Sequence, residues 1–259
     1  MRQFQTIIFA RFMVKFAHDT VVPVAGSELS KKEQVKEMFD GIAGRYDFLN
    51  RFLSGGTDVG WRKKALLQLK NRPLNHLLDV ATGTGDMAIT ALRLLNPAKI
   101  TGIDISEGML KIGNEKVKQL NLADKIELLK GDSETINFND NTFDAVTVAF
   151  GVRNFQNLEK GLAEILRVLK PGGKLVVLEF SKPQNRLMKA LYNFYMQTIV
   201  PAICNIFSKN PHAYRYLNKS IQQFPEGKNF VNILNGLGYN NTGHKPLTLG
   251  ICSIYCGEK

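Results

Sequence analysis

Cysteine and tryptophan are scarce in this chain of 259 residues, which has three Cys and one Trp. Cys204, Cys252 and Cys256 are too few and too scattered for a disulfide framework or a zinc site. No apolar run approaches the roughly 20 residues that a membrane-spanning helix needs. With 44% hydrophobic and 22% charged residues, the composition excludes disorder, collagen and coiled coil as the dominant state.

Acidic residues are scarce in the last third of the chain. Between Ser181 and Gly257 eight Lys and Arg residues face a single acid, Glu226, so this segment holds most of the net charge of +11. An excess of positive charge favours an anionic partner, and nucleic acid, a membrane surface and an acidic substrate all qualify. A solvated surface with scattered charges explains the same count.

The N-terminal segment carries Arg2, Arg11 and Lys15 and no acid before Asp19. This pattern is typical of a targeting peptide, but a small-residue cleavage site and a long apolar core are missing. A true start at Met13 explains the pattern as well. We predict an irregular arm over residues 1–29.

Strand and helix patterns alternate from residue 75 onward. A capping box of Ser30 and Glu33 predicts the start of a first helix, and a second helix is predicted over Thr57–Leu69. Strands are predicted at Leu77–Val80, Lys99–Asp104, Lys125–Leu129, Phe143–Phe150 and Lys174–Phe180, with a hairpin of two more around Gly238–Gly243 and Thr248–Cys256. The alternation predicts an α/β fold: a Rossmann-like, mostly parallel sheet with helices on both faces and an antiparallel C-terminal hairpin.

The loop after the first strand has the pattern of a nucleotide-binding turn. Gly83, Gly85 and Ala88 fit the G-x-G-x-x-G/A fingerprint, and Asp104 ends the second strand 21 residues past Gly83. Glycines permit a tight turn and let a ligand approach the backbone. The Asp104 carboxylate can accept hydrogen bonds from both hydroxyls of a ribose. A purely structural glycine turn is the alternative interpretation.

Local charge separates the two ligands that such a loop binds. NAD brings a pyrophosphate, which carboxylates would repel, whereas S-adenosylmethionine (SAM) brings a sulfonium and an ammonium and no phosphate. Asp79 and Asp86 flank the loop and favour the cationic ligand. Asp132 and Ser133 follow the third strand, where a carboxylate can meet the adenine amino group, or where they form a plain turn.

This combination, over about residues 75–180, resembles the class I SAM-dependent methyltransferases. The resemblance implies a place for each residue: Asp79 near the methionine end, Gly83, Thr84 and Gly85 as the floor, Asp104 at the ribose, and Asp132 and Ser133 beside the adenine.

Two motifs of nucleic-acid methyltransferases are missing. The fourth strand runs into Ala149–Phe155, without the (Asn/Asp)-Pro-Pro-aromatic motif of amino-methylating enzymes. Cytosine C5 methylation needs a nucleophilic Cys, typically after Pro, and the chain has no Pro-Cys pair. We therefore predict no nucleic-acid partner.

Several segments from about residue 30 to the C-terminus resemble the ubiquinone/menaquinone biosynthesis C-methyltransferases, the UbiE/MenG family. They are Tyr46–Asn50, Phe150–Asn154, Arg167–Gly173, Leu178–Pro183 and Tyr214–Leu217. The chain departs from the family pattern at Leu49, where Met is usual, at Thr82 (Gly), at Ala149 (Ser) and at Asp58 (His). Asp58 matters most, because it removes a His that could transfer a proton.

The resemblance implies methyl transfer from SAM, without a metal, to a ring carbon of a lipophilic polyprenyl quinol. Demethylmenaquinol is the favoured substrate, and the benzoquinol precursor of ubiquinone is a second one. A free phenol has a pKa of about 10, and a nearby cation lowers it and makes the ring carbon nucleophilic. Arg153 is the candidate cation, unless it forms a loop-to-helix salt bridge, and Asn154 would orient the ring or a water.

The resemblance also implies substrate-binding residues. The candidates are Tyr46, Asp58, Tyr195 and Tyr214. The general base stays open between Asp58, Tyr46, His212, Tyr214 and a water that one of them activates.

A lipid substrate also explains the apolar stretch from Arg186 to Lys209, which Pro201 divides. The stretch is suited to lie on a membrane or to roof an apolar pocket, and a core helix or a dimer surface is the alternative. We expect residues 30–74 to form lid helices, 75–180 the SAM-binding core, 181–235 a substrate- and membrane-facing insertion and 236–259 the last strands. The protein would be cytoplasmic and peripheral at the inner face of an anionic membrane, with a homodimer left open.

Two other functions stay open. One is a SAM enzyme that acts on another small phenol, a sterol or RNA. The other is a catalytically idle SAM-fold subunit of a quinone-synthesis assembly.

Overall fold

The computed structural model describes residues 16–200 and 211–259, with the backbone alone at residues 211, 212 and 214. The predictions about a targeting peptide, a start at Met13, Cys204 and the interruption at Pro201 lie outside the described residues. So do the side chains of His212 and Tyr214.

A seven-stranded sheet forms the centre of the molecule, in the order β3-β2-β1-β4-β5-β7-β6. The strands are β1 (His76–Val80), β2 (Lys99–Asp104), β3 (Ile126–Lys130), β4 (Phe143–Ala149), β5 (Leu169–Phe180), β6 (Asn240–Leu247) and β7 (Cys252–Glu258). The first five strands are parallel, and β7 runs antiparallel to both β5 and β6. This confirms the predicted mostly parallel sheet with a C-terminal antiparallel hairpin.

Eight α-helices lie in the described part of the chain. They are α1 (Lys31–Leu53), α2 (Thr57–Leu66), α3 (Asp86–Leu95), α4 (Glu107–Gln119), α5 (Leu158–Val168), α6 (Arg186–Phe194), α7 (Pro211–Gln223) and α8 (Lys228–Gly236). The capping box at the start of α1 is confirmed: the Glu33 N–H donates to Ser30 Oγ, and the Ser30 N–H donates to the Glu33 carboxylate. Both pairings satisfy N–H groups that an isolated helix end leaves unpaired.

The apolar core is split into two layers, one on each face of the sheet. One layer joins the sheet to α2, α3 and α4 through residues such as Leu66, Leu92 and Val117. The other joins it to α5 and α8 through residues such as Leu162 and Phe230. Helix layers on both faces bury the near-continuous apolar strands of a parallel sheet.

The boundaries of several elements differ from the prediction. Strand β5 begins at Leu169 rather than Lys174, because Leu169 pairs with Phe143 ahead of a register shift. The last two strands are Asn240–Leu247 and Cys252–Glu258, later in the chain than predicted. Leu249 and Gly250, with φ of 56° and 93°, turn the chain between them. Helix α2 ends at Leu66 and is followed by a 3₁₀ turn to Leu69.

Helix α6 and the π-helical segment Tyr195–Ile199 form a small apolar cluster with Phe180 of β5 and with Ile251, the residue before β7. Tyr192, Met196 and Val200, spaced four residues apart, face inward and pack against Ile221 of α7. Across residues 16–200 and 211–259, the helices are too short or too polar to cross a bilayer.

Candidate active site

Two neighbouring cavities open at the carboxyl ends of the parallel strands. One is larger than the other, and Phe39, Tyr46 and Phe150 line both. In open α/β sheets, ligands bind at this edge where the strand order reverses, here between β1 and β4. The backbone is constrained at that point, since Ala81 and Phe150 adopt φ of 54° and 58° directly after the two strands.

Asp104 forms part of the wall of the smaller cavity. Its carboxylate accepts a hydrogen bond from the Gly83 N–H at 2.8 Å and another from the Ser106 N–H at 2.8 Å. Gly83, whose φ is 55°, lies on the same wall. Burial raises the pKa of Asp104 to about 6. The structure thus brings Gly83 and Asp104 together at the predicted edge of the sheet.

Asp132 and Ser133 line the far side of the same cavity. The Asp132 carboxylate forms an ion pair with Lys32 of α1 and accepts a hydrogen bond from the Glu134 N–H at 2.9 Å. Lys32 also lines the cavity. Sequence reasoning missed Lys32, because its spacing on α1 gives no sign of a partner 100 residues away.

Asp79, Thr84 and Gly85 are not among the residues that line the two cavities. Both oxygens of the buried Asp79 carboxylate accept hydrogen bonds at 2.6 Å, from the hydroxyls of Thr82 and Thr147. The Thr84 hydroxyl donates to Asp47 of α1 at 2.6 Å. Burial raises the pKa of Asp79 to about 6. These hydrogen bonds fix the shape of the loop. The predicted place of Asp79 near the methionine end, and of Thr84 and Gly85 in the floor, stays a prediction.

The charge of Asp86, on which part of the choice of SAM over NAD rested, is already compensated. Its carboxylate lies 2.8 Å from the Lys116 ammonium and 3.6 Å from the Arg51 guanidinium. The negative side chains that line the smaller cavity are instead Asp104, Asp132 and Glu134.

The larger cavity is walled mainly by apolar side chains of α1, α2, the π-helical segment and α7, with Phe150 and Phe180 from the sheet. Arg153 points into it from a 3₁₀ turn, Val152–Asn154. The guanidinium donates to Glu179 Oε1 at 2.7 Å and to the Phe150 carbonyl at 2.6 Å. Arg153 therefore pairs with a strand, not with a helix as one interpretation predicted.

The Arg153–Glu179 ion pair is buried, with 5% and 0% of the two residues exposed. Burial opposes the charge of Arg153, but the Glu179 carboxylate outweighs it and raises the pKa of Arg153 above its ordinary value. Among the described residues, no acceptor lies within hydrogen-bond reach of Arg153 Nε. Glu179 was missed because it stands inside an apolar strand, where only the fold shows what it faces.

Asn154 lies on the same turn as Arg153 but lines the smaller cavity. Its Nδ2 donates to the Phe150 carbonyl at 3.4 Å, and its buried Oδ1 has no partner in the described structure. Arg153 and Asn154 thus donate to the same carbonyl but line different cavities, and the predicted role of Asn154 in orienting the ring or a water stays a prediction.

Asp58 lines the larger cavity but is held by other side chains. It pairs with Arg62 and accepts a hydrogen bond from the Ser54 hydroxyl at 2.9 Å. Burial alone would raise the pKa of Asp58, but the Arg62 guanidinium outweighs it, and the pKa is below its ordinary value. A carboxylate of lowered pKa is a poor proton acceptor at neutral pH.

The candidate tyrosines have different surroundings. Tyr46 lines both cavities, and burial raises its pKa above the ordinary value. Tyr195 lines the larger cavity and donates its hydroxyl to the Leu53 carbonyl at 2.8 Å. Tyr214 lies on α7, and its side chain is outside the described structure.

Two further tyrosines, Tyr192 and Tyr216, line the larger cavity and were not predicted. Both are buried, with 7% and 3% exposed, and in the described residues neither hydroxyl has a hydrogen-bond partner. Tyr192 could have been predicted from its spacing, because Tyr192 and Met196 lie four residues apart and both face inward. For Tyr216, the sequence gives no reason to choose it over Tyr214, two residues earlier.

A family model described as the ubiE/COQ5 methyltransferase family matches residues 27–259. The chain belongs to this family. The demethylmenaquinone methyltransferase of Bacteroides fragilis is 46% identical over 229 residues, which are 88% of this chain and 94% of that protein. The ubiquinone/menaquinone biosynthesis C-methyltransferase UbiE of Geotalea daltonii is 47% identical over 230 residues, 88% of this chain and 97% of that protein.

The fold of this methyltransferase is also found among solved structures. A SAM-dependent methyltransferase from Aquifex aeolicus superposes with a TM-score of 0.55 at 22% identity, over 76% of this chain and 88% of that chain. The family and the fold confirm the predicted class: the protein is a SAM-dependent methyltransferase. No cluster of three metal-ligating side chains is found in the residues that the structure describes.

Proposed function

We propose that the protein transfers the methyl group of SAM to a ring carbon of a polyprenyl quinol, and that demethylmenaquinol is its substrate. One observation carries the proposal: a mostly apolar cavity lies next to the smaller cavity, and Tyr46 and Phe150 line both. The apolar cavity also contains Arg153, a buried cation. A quinol is an aromatic ring on a lipid chain, so it matches a mostly apolar space with few polar groups. The names of the relatives from Bacteroides fragilis and Geotalea daltonii support this substrate class.

The smaller cavity fits SAM by its chemistry. Asp104, Asp132 and Ser133 line this cavity. Asp104 would accept from the ribose hydroxyls, and Asp132 and Ser133 would contact the adenine edge. The buried Oδ1 of Asn154, an acceptor without a donor, suits the ammonium of the methionine part. When bound, SAM supplies an electrophilic methyl group on a cationic sulfur.

Arg153 acts on the acceptor. A quinol oxygen beside the guanidinium loses its proton more readily, because the cation stabilises the phenolate and thereby enriches the ring carbon in electrons. Glu179 holds the guanidinium in place at 2.7 Å and keeps it charged within an apolar wall. The low pKa of Asp58 argues against it as the base that receives the proton.

We further propose that the protein works at the inner face of an anionic cytoplasmic membrane, where its substrate resides. Leu187, Leu191 and Phe194 on the outer face of α6 are 69%, 54% and 60% exposed. Phe48 and Phe52 of α1, also exposed, stack with ring centroids 5.8 Å apart. The inner faces of the same helices line the larger cavity, so a lipid could pass between membrane and cavity over a short path. A homodimer stays a prediction.

The function is tested by offering radiolabelled SAM with demethylmenaquinol, the benzoquinol precursor of ubiquinone, a sterol and RNA in parallel reactions. We expect label in demethylmenaquinol, and label in the benzoquinol would extend the function to the ubiquinone step. Label only in RNA or the sterol would overturn the proposal in favour of another SAM enzyme. Label in none of them would favour an idle subunit.

The role of Arg153 is tested with a double variant, Arg153→Gln with Glu179→Gln. Removing Arg153 alone would leave a buried carboxylate without its partner and destabilise the fold, whereas the double variant removes both charges together. We expect kcat to fall about 100-fold or more, with the Kd for SAM within about twofold of the wild type. An unchanged kcat would show that Arg153 has no catalytic role.

A further inference from the structure

Most tyrosine hydroxyls in the described structure have a clear partner. Tyr239 donates to the Leu162 carbonyl at 2.8 Å, Tyr195 donates to the Leu53 carbonyl at 2.8 Å, and the Tyr255 hydroxyl accepts from the Gly227 N–H at 2.9 Å. Within the same described part, Tyr192 and Tyr216 are the two tyrosines with buried, unpartnered hydroxyls. Buried polar groups in folded proteins nearly always have partners, so each exception needs an explanation.

The two hydroxyls belong to different elements but to one cavity. Tyr192 comes from α6 and Tyr216 from α7, and both line the larger cavity with Arg153. Burial raises the pKa of each tyrosine above its ordinary value, so both keep their protons and can donate as well as accept. Phenylalanine at either position would fill the same space without leaving a polar group unpaired, so packing does not explain the hydroxyls.

We infer that the hydroxyls of Tyr192 and Tyr216 bind the ring oxygens of the aromatic acceptor. They would select an oxygen-bearing ring over the hydrocarbon chains that the same apolar cavity also admits. A site that leaves polar groups unpaired with the wrong ligand discriminates strongly against it. The inference rests on the proposed function for the class of acceptor, and it adds two specificity-determining residues to Arg153.

The experiment uses the full chain and three variants, Tyr192→Phe, Tyr216→Phe and their combination. Two binding probes are compared under reducing, anaerobic conditions: a 1,4-naphthalenediol with one prenyl unit, and the matching prenylnaphthalene without oxygens. We expect the Kd for the diol to rise about tenfold for each hydroxyl removed, and the Kd for the hydrocarbon to change less than twofold. The Tm of each variant without ligand should equal or exceed that of the wild type, because an unpaired buried hydroxyl is lost.

Tyr239→Phe is the matched control, since its hydroxyl donates to Leu162 away from both cavities. We expect this control to lower Tm and to leave both Kd values unchanged. A lower Tm in the Tyr192 and Tyr216 variants, with unchanged discrimination between the probes, would assign them a structural role and overturn the inference. So would a wild type that binds both probes equally well.

The binding measurements involve no methyl transfer, which separates the inference from the proposed function. If the variants lose discrimination while the wild type methylates no quinol, the inference stands and the proposed function fails. If the wild type methylates demethylmenaquinol and the variants discriminate as before, only the inference fails.

Discussion

Asp104 presents its carboxylate to the smaller cavity while two backbone N–H groups hold it from behind. Because burial raises its pKa to about 6, the side chain of the free protein takes up a proton in mildly acidic solution. In the proposed complex the ribose hydroxyls donate to the ionised form, so SAM binding would release that proton. We expect the Kd for SAM to rise about tenfold per pH unit below pH 6 and to be flat above about pH 7. Calorimetry between pH 5 and pH 8, in buffers of different ionisation enthalpy, measures both the affinity and the released proton.

Two variants control this pH dependence. Asp104→Asn should bind SAM weakly and without a pH dependence near pH 6. Asp79→Asn is the matched control, since the pKa of Asp79 is also about 6. This variant should keep the wild-type pH dependence, because the Asp79 carboxylate accepts hydrogen bonds from Thr82 and Thr147. If the dependence persists in Asp104→Asn, Asp104 is not its source.

At the residue scale, the sequence predicted the site residues that directly follow a strand and missed the partners that come from distant parts of the chain. Gly83, Asp104 and Asp132 were predicted as cofactor-binding residues from their places after the first three strands, and all three line the smaller cavity. Lys32, which pairs with Asp132, comes from a helix 100 residues earlier in the chain. Thr84 was predicted to face a ligand, and the docking of α1 gives its hydroxyl to Asp47. Such pairings depend on how helices dock, which local patterns do not record.

At the scale of elements, α4 approaches the glycine loop closely enough to require a glycine. A Cβ at Gly113 would lie 2.7 Å from Leu128 Cδ1 and 3.1 Å from the backbone carbon of Thr84. We expect Gly113→Ala to destabilise the protein by about 1–3 kcal/mol and to weaken SAM binding, since the loop has to move. Urea unfolding and SAM titration measure the two effects.

Gly41 of α1 is the matched control, because a Cβ there would meet nothing within 4 Å. Gly41→Ala should stabilise the protein by about 0.5–1 kcal/mol, the usual gain in a helix interior. Similar stability changes in the two variants would mean that contact with the loop does not decide the effect at Gly113.

The outer face of α6 carries the proposed contact with the membrane. Replacing Leu191 and Phe194 by Ser removes two exposed apolar side chains, and we expect binding to vesicles with anionic lipid to fall at least about tenfold. Flotation or sedimentation with vesicles measures this binding. Leu94→Ser on α3, with 41% of Leu94 exposed and on neither cavity wall, should bind vesicles like the wild type. Equal binding by all three proteins would reject α6 as the contact.

The sequence predicted the helical pattern of this stretch but left it open whether it lies on a membrane or roofs a pocket. In the structure the two faces of this segment have different surroundings. Tyr192 and Met196 face the cavity, while Leu191 and Phe194 face outward. Amphipathic spacing defines two faces of a helix, but only the packed structure shows what each face meets.

At the scale of the whole molecule, the basic excess lies in the same segment as the exposed apolar face. Lys189 is exposed beside Leu187 and Leu191, whereas Lys182 is paired with Glu226 at 3.4 Å. The acidic side chains of the smaller cavity lie near the sheet edge, on residues that follow β2 and β3. Lys32 pairs with two of these acidic side chains, Asp132 and Glu134. Exposed basic and apolar side chains on one segment are what the proposed contact with an anionic membrane needs.

Helix α1 connects the two cavities. Asp40 accepts hydrogen bonds from the Ser106 hydroxyl at 2.6 Å and the Gly108 N–H at 2.8 Å, and Asp47 accepts from Thr84. Tyr46, between them on the chain, lines both cavities. We therefore expect a ligand in the smaller cavity to order the helix that also walls the larger one. Two sites that share such an element are coupled reciprocally.

This coupling is measurable without catalysis. S-adenosylhomocysteine has the nucleoside of SAM but no methyl group to transfer. We expect it to slow hydrogen exchange over α1, residues 31–53, more than over α5, which packs on the sheet with α8. We also expect S-adenosylhomocysteine to lower the Kd for the prenylated naphthalenediol a few-fold. The diol should lower the Kd for S-adenosylhomocysteine by the same factor. Asp47→Ala removes the tie to Thr84 and should reduce both effects, whereas unchanged exchange over α1 at saturating S-adenosylhomocysteine would show that the two cavities fill independently.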